Sequence, residues 1–323
     1  MTTERPDRVS IIDPITPAID RIKIMLFRPF DLRKWFVIGF CAWLAYLGSS
    51  WGGGSGGRGG GPNINIPHRQ GHDAQIGQAL NEAKEYLLDK LYWIMPVAVI
   101  VVVVGVGIGL LITWLNSRGR FMFLHCVTKN KAEIKVPWQK FRKQANSLFL
   151  FRIVLGIISL PVVGLPIFGI VLLIIMMASR TGPLIASISG VVVLGLLIFV
   201  LSIALFLVKK FTMDFVVPIM FLRTSSCLAG WREFMTILSA NKLRFALYLL
   251  FQIVIAITIG AILAIGFCIG CCLCCVSVLL LIPYIGKVIV LPLLVFERAY
   301  SLHYLRQFGP DFDVFSLEGE AAG

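Results

Sequence analysis

Residues 92–114, YWIMPVAVIVVVVGVGIGLLITW, form an apolar run without a charged side chain. A helix needs about 20 such residues to cross the roughly 30 Å of hydrocarbon in a bilayer. The run therefore predicts a membrane-spanning helix centred on the valines from Val97 to Val106. Leucines and isoleucines at helical spacing in residues 74–91 indicate that this helix begins before the membrane.

The composition of the whole chain supports a membrane protein. Its 323 residues are 58% hydrophobic and 15% charged, with a mean hydropathy of +0.86, whereas soluble domains carry about 25% charged residues. A net charge of +13 would suggest nucleic acid as the partner of a soluble protein. Here the cations fall between apolar runs, where membrane topology explains them better, and we expect no nucleic-acid partner.

Further apolar runs predict an all-α, polytopic transmembrane helix bundle of six spans with amphipathic interfacial helices. Besides 92–114, the predicted spans are residues 35–47, 148–177, 184–208, 245–267 and 276–296. Pro161 and Pro166 predict a tilt, kink or break in the third span. The Pro283–Gly286 break could add a seventh membrane segment.

The distribution of Lys and Arg predicts the orientation of this single membrane domain, residues 1–323. Cytoplasmic loops favour these cations, and 23 of the 30 fall in segments predicted to lie inside, against five in outer segments. Both ends are therefore expected in the cytoplasm. The predicted segments are a cytoplasmic amphipathic N-terminal segment (1–34), an outer loop (50–91) with a Gly-rich tether (52–61), cytoplasmic connectors (116–146 and 209–244) and a cytoplasmic tail (306–323).

The N-terminal segment and two inner connectors carry amphipathic signals. The segment 1–34 contains a basic amphipathic helix that packs on the bundle or lies in the interface plane, two compatible arrangements. Trp138 with Phe141, and Trp231 with Phe234, recur 93 residues apart in the connectors. Their i, i+3 spacing places each pair on one helix face, at a position suited to lipid headgroups. The recurrence indicates an internal repeat, as transporters often have, although duplication also occurs without transport.

The chain resembles a known family in several segments. These are Phe27-Arg-Pro-Phe-Asp-Leu-Arg-Lys-Trp-Phe36, the Gly-rich outer loop, the Trp-x-x-Phe connectors and Phe296-Glu-Arg-Ala-Tyr-Ser301. They resemble an uncharacterised bacterial polytopic membrane-protein family, which is similar to the membrane domain of some glycerophosphodiester phosphodiesterases. The catalytic domain of those enzymes has no counterpart here, so no catalytic residue carries over. The resemblance implies a bacterial inner membrane and an unknown function.

A cysteine cluster is the first candidate site. Its members Cys268, Cys271, Cys272 and Cys275 share one helix face, and thiolate groups at such spacing bind soft metals. The surroundings are apolar, without a nearby cation to lower the thiol pKa, and small residues also favour close helix packing. We interpret the cluster as packing, with redox and metal roles as alternatives, and assign no metal or cofactor site.

Charged residues in the apolar runs are the second candidate set, because charge in a membrane is costly and usually functional. Arg152 lies one turn inside the third span, and snorkelling to the cytoplasmic face is its simplest role. Asp214 lies in an apolar stretch, 211–222, that could extend the fourth helix, and pairing with Lys210 one turn away is its simplest role. Lys287 follows the break near Pro283.

These observations favour a non-enzymatic membrane scaffold or a partner- or lipid-binding protein. Its basic amphipathic helices would contact anionic lipid headgroups on the cytoplasmic face of the bilayer, and a protein partner is a further possibility. The alternative is a small-molecule or lipid transporter or channel, which the repeat and the broken spans favour. No catalytic residue is assigned, since no acid–base or nucleophile pattern is present.

Overall fold

The computed structural model of the chain describes residues 9–48, 73–179, 183–272 and 283–316, and every regular element in these ranges is helical. The helices are α1 (Ile15–Ile22), α2 (Leu32–Ala45), α3 (Asp73–Lys129), α4 (Lys135–Lys140), α5 (Arg142–Ala178), α6 (Leu184–Phe211), α7 (Val217–Arg223), α8 (Cys227–Ala240), α9 (Lys242–Cys272), α10 (Pro283–Ile289) and α11 (Leu291–Arg306). π-Helical turns occupy Lys23–Phe27 and Thr212–Val216, and a 3-10 turn occupies Pro310–Phe312.

Four of the described helices are long and apolar enough to cross a membrane. They are Met95–Lys129, Arg142–Ala178, Ile185–Arg223 and Lys242–Gly266, and they overlap the second to fifth predicted spans. The expectation that this helix begins before the apolar run 92–114 is confirmed, because α3 begins at Asp73. The expectation that 211–222 extends the fourth helix is also confirmed, since that helix continues to Arg223.

The first and last predicted spans are not among these four helices. α2 has 14 residues, about 21 Å at 1.5 Å per residue, which is shorter than the hydrocarbon layer. In the region of the last span, residues 273–282 lie outside the described ranges, and the helices that follow, α10 and α11, have seven and 16 residues. A count of six spans therefore stays a prediction.

The third span is not broken at its prolines, contrary to one of the outcomes expected. α5 continues through both Pro161 and Pro166. A break inside a helix of 37 residues would expose several backbone groups to lipid, where no water can satisfy them. Each proline removes one backbone N–H donor from the helix. These two missing hydrogen bonds cost less than exposing the backbone groups at a break, so the helix continues.

The chain divides into two compact units, Leu47–Thr113 and the remainder, Met1–Tyr46 with Trp114–Gly323. In the described part of the smaller unit, the apolar half of α3 has many exposed valines and leucines. A Cβ added at Gly105, Gly107 or Gly109 would meet no atom within 4 Å. Among the described residues, this stretch of α3 is therefore exposed.

The buried core of the larger unit lies at one end of the long helices. Core residues come from the C-terminal end of α3, the N-terminal end of α5, the C-terminal end of α6 and the N-terminal end of α9. These are the ends that the charge distribution predicts to be cytoplasmic. An aromatic cluster fills the centre of this core and comprises Phe211, Phe215, Phe234, Phe245, Tyr248, Tyr304 and Phe308.

The predicted connectors are therefore mostly helical parts of the core. In 116–146, α3 continues to Lys129 and is followed by α4 and the start of α5; in 209–244, the chain forms α7 and α8. α8 begins where the Ser226 side chain accepts a hydrogen bond from the Ala229 amide, a typical N-cap. The two ends of the described chain meet here, because Gln307 exchanges two hydrogen bonds, of 2.7 and 2.9 Å, with the Ser10 backbone.

The short helices α2 and α10 pack against each other within the same unit. A Cβ at Gly39 would come within 2.6 Å of the Val288 side chain, so any larger residue would have to displace Val288. The Trp35 indole donates to the Val288 carbonyl (2.9 Å), and the Tyr284 hydroxyl donates to the Phe36 carbonyl (3.0 Å). The Pro283–Gly286 break thus begins a short helix that is fixed against the N-terminal region.

Candidate functional site

The candidate site is built around the π-helical turn Thr212–Val216, which contains Asp214. Pro218 has no backbone N–H, so it cannot make the α-helical hydrogen bond to the Asp214 carbonyl four residues earlier. The chain instead widens, and the Val217 amide donates to the Thr212 carbonyl five residues back. Such π-turns often mark functional sites, because they change the direction of side chains and leave carbonyl groups available.

Lys210 and Asp214 form the centre of a buried charge network between α6, α9 and α11. The Lys210 ammonium lies 3.1 Å from the Asp214 carboxylate and 3.5 Å from Glu297. The Tyr248 hydroxyl donates to Asp214 (3.1 Å), and the Gln252 amide donates to Tyr248 (2.8 Å). The predicted Lys210–Asp214 pair is therefore present, and it is part of a larger network that joins three helices.

The π-turn is held by two side chains from other helices. Arg298 of α11, which is 9% exposed, donates through Nη1 to the Met213 carbonyl at 2.6 Å. The Trp231 indole of α8 donates to the Thr212 hydroxyl at 3.2 Å. Each partner satisfies a polar group at the point where the α-helical pattern is interrupted, as buried polar groups require.

A second set of cations converges on Asn116. The Asn116 Oδ1 atom accepts hydrogen bonds from Arg120 Nε (3.1 Å) and from Arg152 Nη1 (2.7 Å), and its amide donates to the Ala45 carbonyl (2.8 Å). Arg152 also donates to the Ser117 hydroxyl at 3.3 Å. Arg152 thus bonds to side chains at the polar end of α3, and its snorkelling to the cytoplasmic face stays a prediction.

The Tyr46 ring links the two sets of charges. The Arg120 guanidinium lies 5.4 Å from the ring centroid and the Lys287 ammonium 5.6 Å from it, which are cation–π distances. Arg120 also interacts electrostatically with the Asp214 and Glu297 carboxylates. We call the whole set the charged junction: Arg120, Arg152, Lys210, Asp214, Lys287, Glu297 and Arg298. It brings the three predicted residues Arg152, Asp214 and Lys287 into one region, with more cations than carboxylates.

The predicted aromatic pairs occupy two environments. Phe141 is 3% exposed and Phe234 is 0% exposed, so both phenylalanines lie inside the core, while Trp138 and Trp231 are half-buried. α4 ends at Lys140, whereas Phe234 lies within α8. The two proposed copies of the repeat are therefore folded differently at equivalent positions, because a helix ends after Trp138 and continues past Trp231.

The predicted cysteine cluster is only partly within the described residues. Cys268 is exposed on α9, while Cys271 and Cys272 are in the last turn of that helix, and Cys275 lies outside the described ranges. A different pair comes together in the core, since the Cys41 and Cys126 sulfurs are 3.8 Å apart. Across the described ranges, no group of three His, Cys, Asp or Glu side chains forms a possible metal site.

Several residues of the network were not singled out in the sequence. Tyr248 and Gln252 lie four residues apart in an otherwise apolar span, and this i, i+4 polar pair was a detectable signal. Asn116 and Arg120 lie at the polar end of α3, where ordinary topology already explains polar residues, so nothing distinguished them. Chemically, the junction resembles an ion-pair network and contains no nucleophile paired with a base.

Comparisons with known proteins give a family without a function. A family of unknown function (DUF7544) matches residues 9–286. No curated protein and no solved structure matches the chain.

Proposed function

The chain belongs to the family of unknown function DUF7544, and we propose that it is a non-enzymatic membrane protein that binds anionic lipid headgroups and serves as a scaffold for a protein partner. The observation that carries this proposal is an exposed surface between α1 and α2 that combines apolar and basic side chains. Phe27, Phe30 and Leu32 are 50%, 58% and 60% exposed. Their neighbours Arg28 and Arg33 are exposed as well.

This surface, which we call the basic edge (residues 23–36), fits the interface of a bilayer. Large apolar side chains exposed together mark a site that binds a membrane or another protein. Cations between them indicate an anionic membrane surface, since apolar burial and headgroup attraction then act together. The Asp31 carboxylate accepts from the Arg33 amide at 2.8 Å, so α2 starts at a fixed point within the basic edge.

α8 presents a second surface of the same kind. Leu228 and Met235 are 72% and 52% exposed, and the exposed Arg232 lies between them on the same helical face. The opposite face of α8 buries Phe234 in the core. α8 is thus amphipathic, with an outward face that is suited to the same leaflet as the basic edge.

We propose that these surfaces lie at the cytoplasmic face of a bacterial inner membrane, with both ends of the chain in the cytoplasm. The Ser10–Gln307 contact keeps the two ends together, which favours an even number of crossings. The excess of Lys and Arg in the predicted inner segments supports the direction. Labelling of single cysteines at Lys140 or Arg232 by an impermeant reagent in intact cells would overturn this orientation.

The lipid proposal is tested by comparing phosphatidylglycerol with phosphatidylcholine as ligands of the purified protein in native mass spectrometry. The wild type should bind the anionic lipid more tightly. Each cation near an anionic surface contributes about 1 kcal/mol, or roughly fivefold in affinity. The double variant Arg28→Gln/Arg33→Gln should therefore lose on the order of tenfold or more. Arg306→Gln is the control, because Arg306 is already paired with Asp313 at 3.0 Å. A wild type that binds both lipids equally would end the proposal.

Transport is the second candidate function, and the charged junction is the observation in its favour. Ionisable residues held between helices often mark the pathway of a transported ion or substrate. If the protein is a transporter, Asp214→Asn and Arg152→Gln should reduce flux into proteoliposomes while the protein remains folded. Flux that neither variant changes would count against a pathway through the junction.

A further inference from the structure

Arg118 lies between two tryptophan rings at the polar end of the apolar run in α3. Its guanidinium carbon is 4.5 Å from the centroid of the Trp114 ring and 4.7 Å from that of Trp138. The two rings are themselves in contact, 5.9 Å apart and perpendicular. We call this arrangement of Trp114, Arg118 and Trp138 the tryptophan clamp.

The clamp buries Arg118 without giving it an acceptor. Arg118 is 6% exposed, and its Nε atom is enclosed and has no hydrogen-bond partner. In the described ranges, no carboxylate pairs with Arg118, and the charge that acts on it is that of another arginine, Arg142. A buried cation normally has a partner, because an uncompensated one is strongly destabilising.

The other two buried arginines in the described part of the chain have acceptors. Arg21 donates to the Val127 and Thr128 carbonyls at 2.8 and 2.6 Å. Arg298 donates to the Met213 carbonyl at 2.6 Å. Arg118 therefore differs from its own counterparts in the same core, and cation–π contacts alone do not use its N–H donors.

We infer that Arg118 and Arg142 bind a phosphate group. A guanidinium presents N–H donors that match phosphate oxygens two at a time, and the Trp rings hold its plane in one orientation. The Nη edge is the side left for an anion, because Nε is enclosed. The inference rests on the proposed lipid-binding function and assigns to it one specific site.

The position of the clamp favours a phosphate at headgroup depth. Arg118 follows the uncharged run 92–114 after three residues, and tryptophan side chains concentrate at membrane–water interfaces. Arg142 is exposed at the start of α5, where its charge can reach the same anion. The shared chemistry is a phosphate ester, which a phospholipid or a soluble phosphate compound could supply.

The test compares Arg118→Gln, Arg118→Lys and Arg142→Gln with the wild type for binding of phosphatidylglycerol, measured by native mass spectrometry. Arg118→Gln should weaken the tightest bound lipid by at least about fivefold, the effect of one cation at an anionic surface. Arg118→Lys keeps the charge but loses the planar donor pair, so it should bind with intermediate affinity. Arg306→Gln is the matched control, because Arg306 is already paired with Asp313 at 3.0 Å and belongs to neither the clamp nor the basic edge.

Competition with inorganic phosphate separates the two sources of the ligand. If millimolar phosphate displaces the lipid, the result supports a soluble phosphate compound as the ligand of this site. Lipid binding that resists phosphate would support a headgroup site. Arg142→Gln changes an exposed residue and keeps the test decisive if Arg118→Gln does not fold.

The outcomes also separate this inference from the proposed function. A wild type that prefers anionic lipid, with folded Arg118→Gln and Arg142→Gln variants of unchanged affinity, would overturn the phosphate site alone. A wild type without preference for anionic lipid, and with no affinity for inorganic phosphate, would overturn both.

Discussion

Arg298 donates a hydrogen bond of 2.6 Å to the main-chain carbonyl of Met213. The carbonyl lies in the π-helical turn of the chain between α6 and α7, where the regular α-helical pattern is interrupted. A charged side chain from α11 thus completes the backbone hydrogen bonding of another helix. This contact joins α11 to Ile185–Arg223, the longest of the four candidate spans. That span also contains Asp214.

Replacing Arg298 with methionine should destabilise the protein by about 2 kcal/mol, the effect of a lost hydrogen bond from a charged group. The variant keeps an apolar side chain of similar length but leaves the Met213 carbonyl without this donor. Thermal unfolding of the detergent-solubilised protein measures the change. Arg232→Met is the control, since Arg232 is exposed on α8 and should shift stability by no more than about 0.5 kcal/mol. Equal shifts in the two variants would contradict the prediction.

Asn116→Ala should lower the free energy of unfolding more than Ser117→Ala does, by about 2 kcal/mol or more. The Asn116 side chain accepts from Arg120 and from Arg152 and donates to the Ala45 carbonyl, so its removal leaves two guanidinium groups without this acceptor. Asn116→Asp should retain most of the stability, because a carboxylate accepts from both arginines and offsets their charge. Unfolding midpoints in one detergent compare the three variants, and an Asp variant as unstable as the Ala variant would exclude this account.

Gly119→Ala should destabilise the core by about 3 kcal/mol, the upper range for overpacking. A Cβ at this position would lie 2.5 Å from the Ala45 nitrogen and 2.5 Å from the Leu44 carbonyl carbon. Both are backbone atoms, which cannot rotate away. Gly105→Ala on the same helix is the control, because a Cβ there meets nothing within 4 Å. Thermal unfolding measures the loss of stability in both variants. Comparable losses would mean that α2 and α3 do not make the close backbone contact at Gly119.

Cys41 and Cys126 should form an intramolecular disulfide when the folded protein is treated with diamide, which accepts the two electrons and two protons released. Their sulfurs are 3.8 Å apart and need to approach to about 2.05 Å. Mass spectrometry should find a protein lighter by two hydrogen atoms, with a peptide pair that links the two cysteines. Cys227 is the internal control, because it is buried like the other two but has no cysteine beside it in the described ranges, so its peptide should stay reduced. If the linked peptides are absent after treatment with diamide to completion, the pairing is refuted.

His303 should make the protein less stable as the pH falls from about 6.5 towards 4. Burial, together with the charges of Arg306 and Arg21, lowers the pKa of His303 to about 4, and Asp313 opposes the shift. The unfolded chain therefore binds a proton below about 6.5 that the folded chain does not bind until about 4. The contribution of His303 to the free energy of unfolding is therefore complete above pH 6.5 and is lost as the pH falls from about 6.5 to about 4.

The variant His303→Phe isolates this effect. It should preserve stacking on Phe315, whose ring lies 4.5 Å from that of His303, and it removes the titrating group. The melting temperature of the variant should therefore fall less between pH 7 and pH 5 than that of the wild type. Parallel pH profiles would mean that His303 does not titrate in this window.

The sequence predicted local features of the candidate site better than distant ones. Lys210 and Asp214 could be paired from their four-residue spacing, because one helical turn fixes their distance. Glu297, which completes the pair, comes from a helix more than 80 residues later, and sequence spacing gives no distance between separate helices. For the same reason the Asn116–Arg152 contact and the Cys41–Cys126 pair could not be foreseen.

The sequence by itself determined the helical class and the apolar runs of the four described helices that can cross a membrane, because the free energy of apolar runs in lipid depends on composition and length alone. Tertiary structure alone decided what the charged connectors do. Packing of the helix ends determined that Phe141 and Phe234 enter a core, that Arg152 bonds to Asn116, and that Arg118 lies between two tryptophans. These choices depend on distances between helices, which are fixed by the packing of many side chains together.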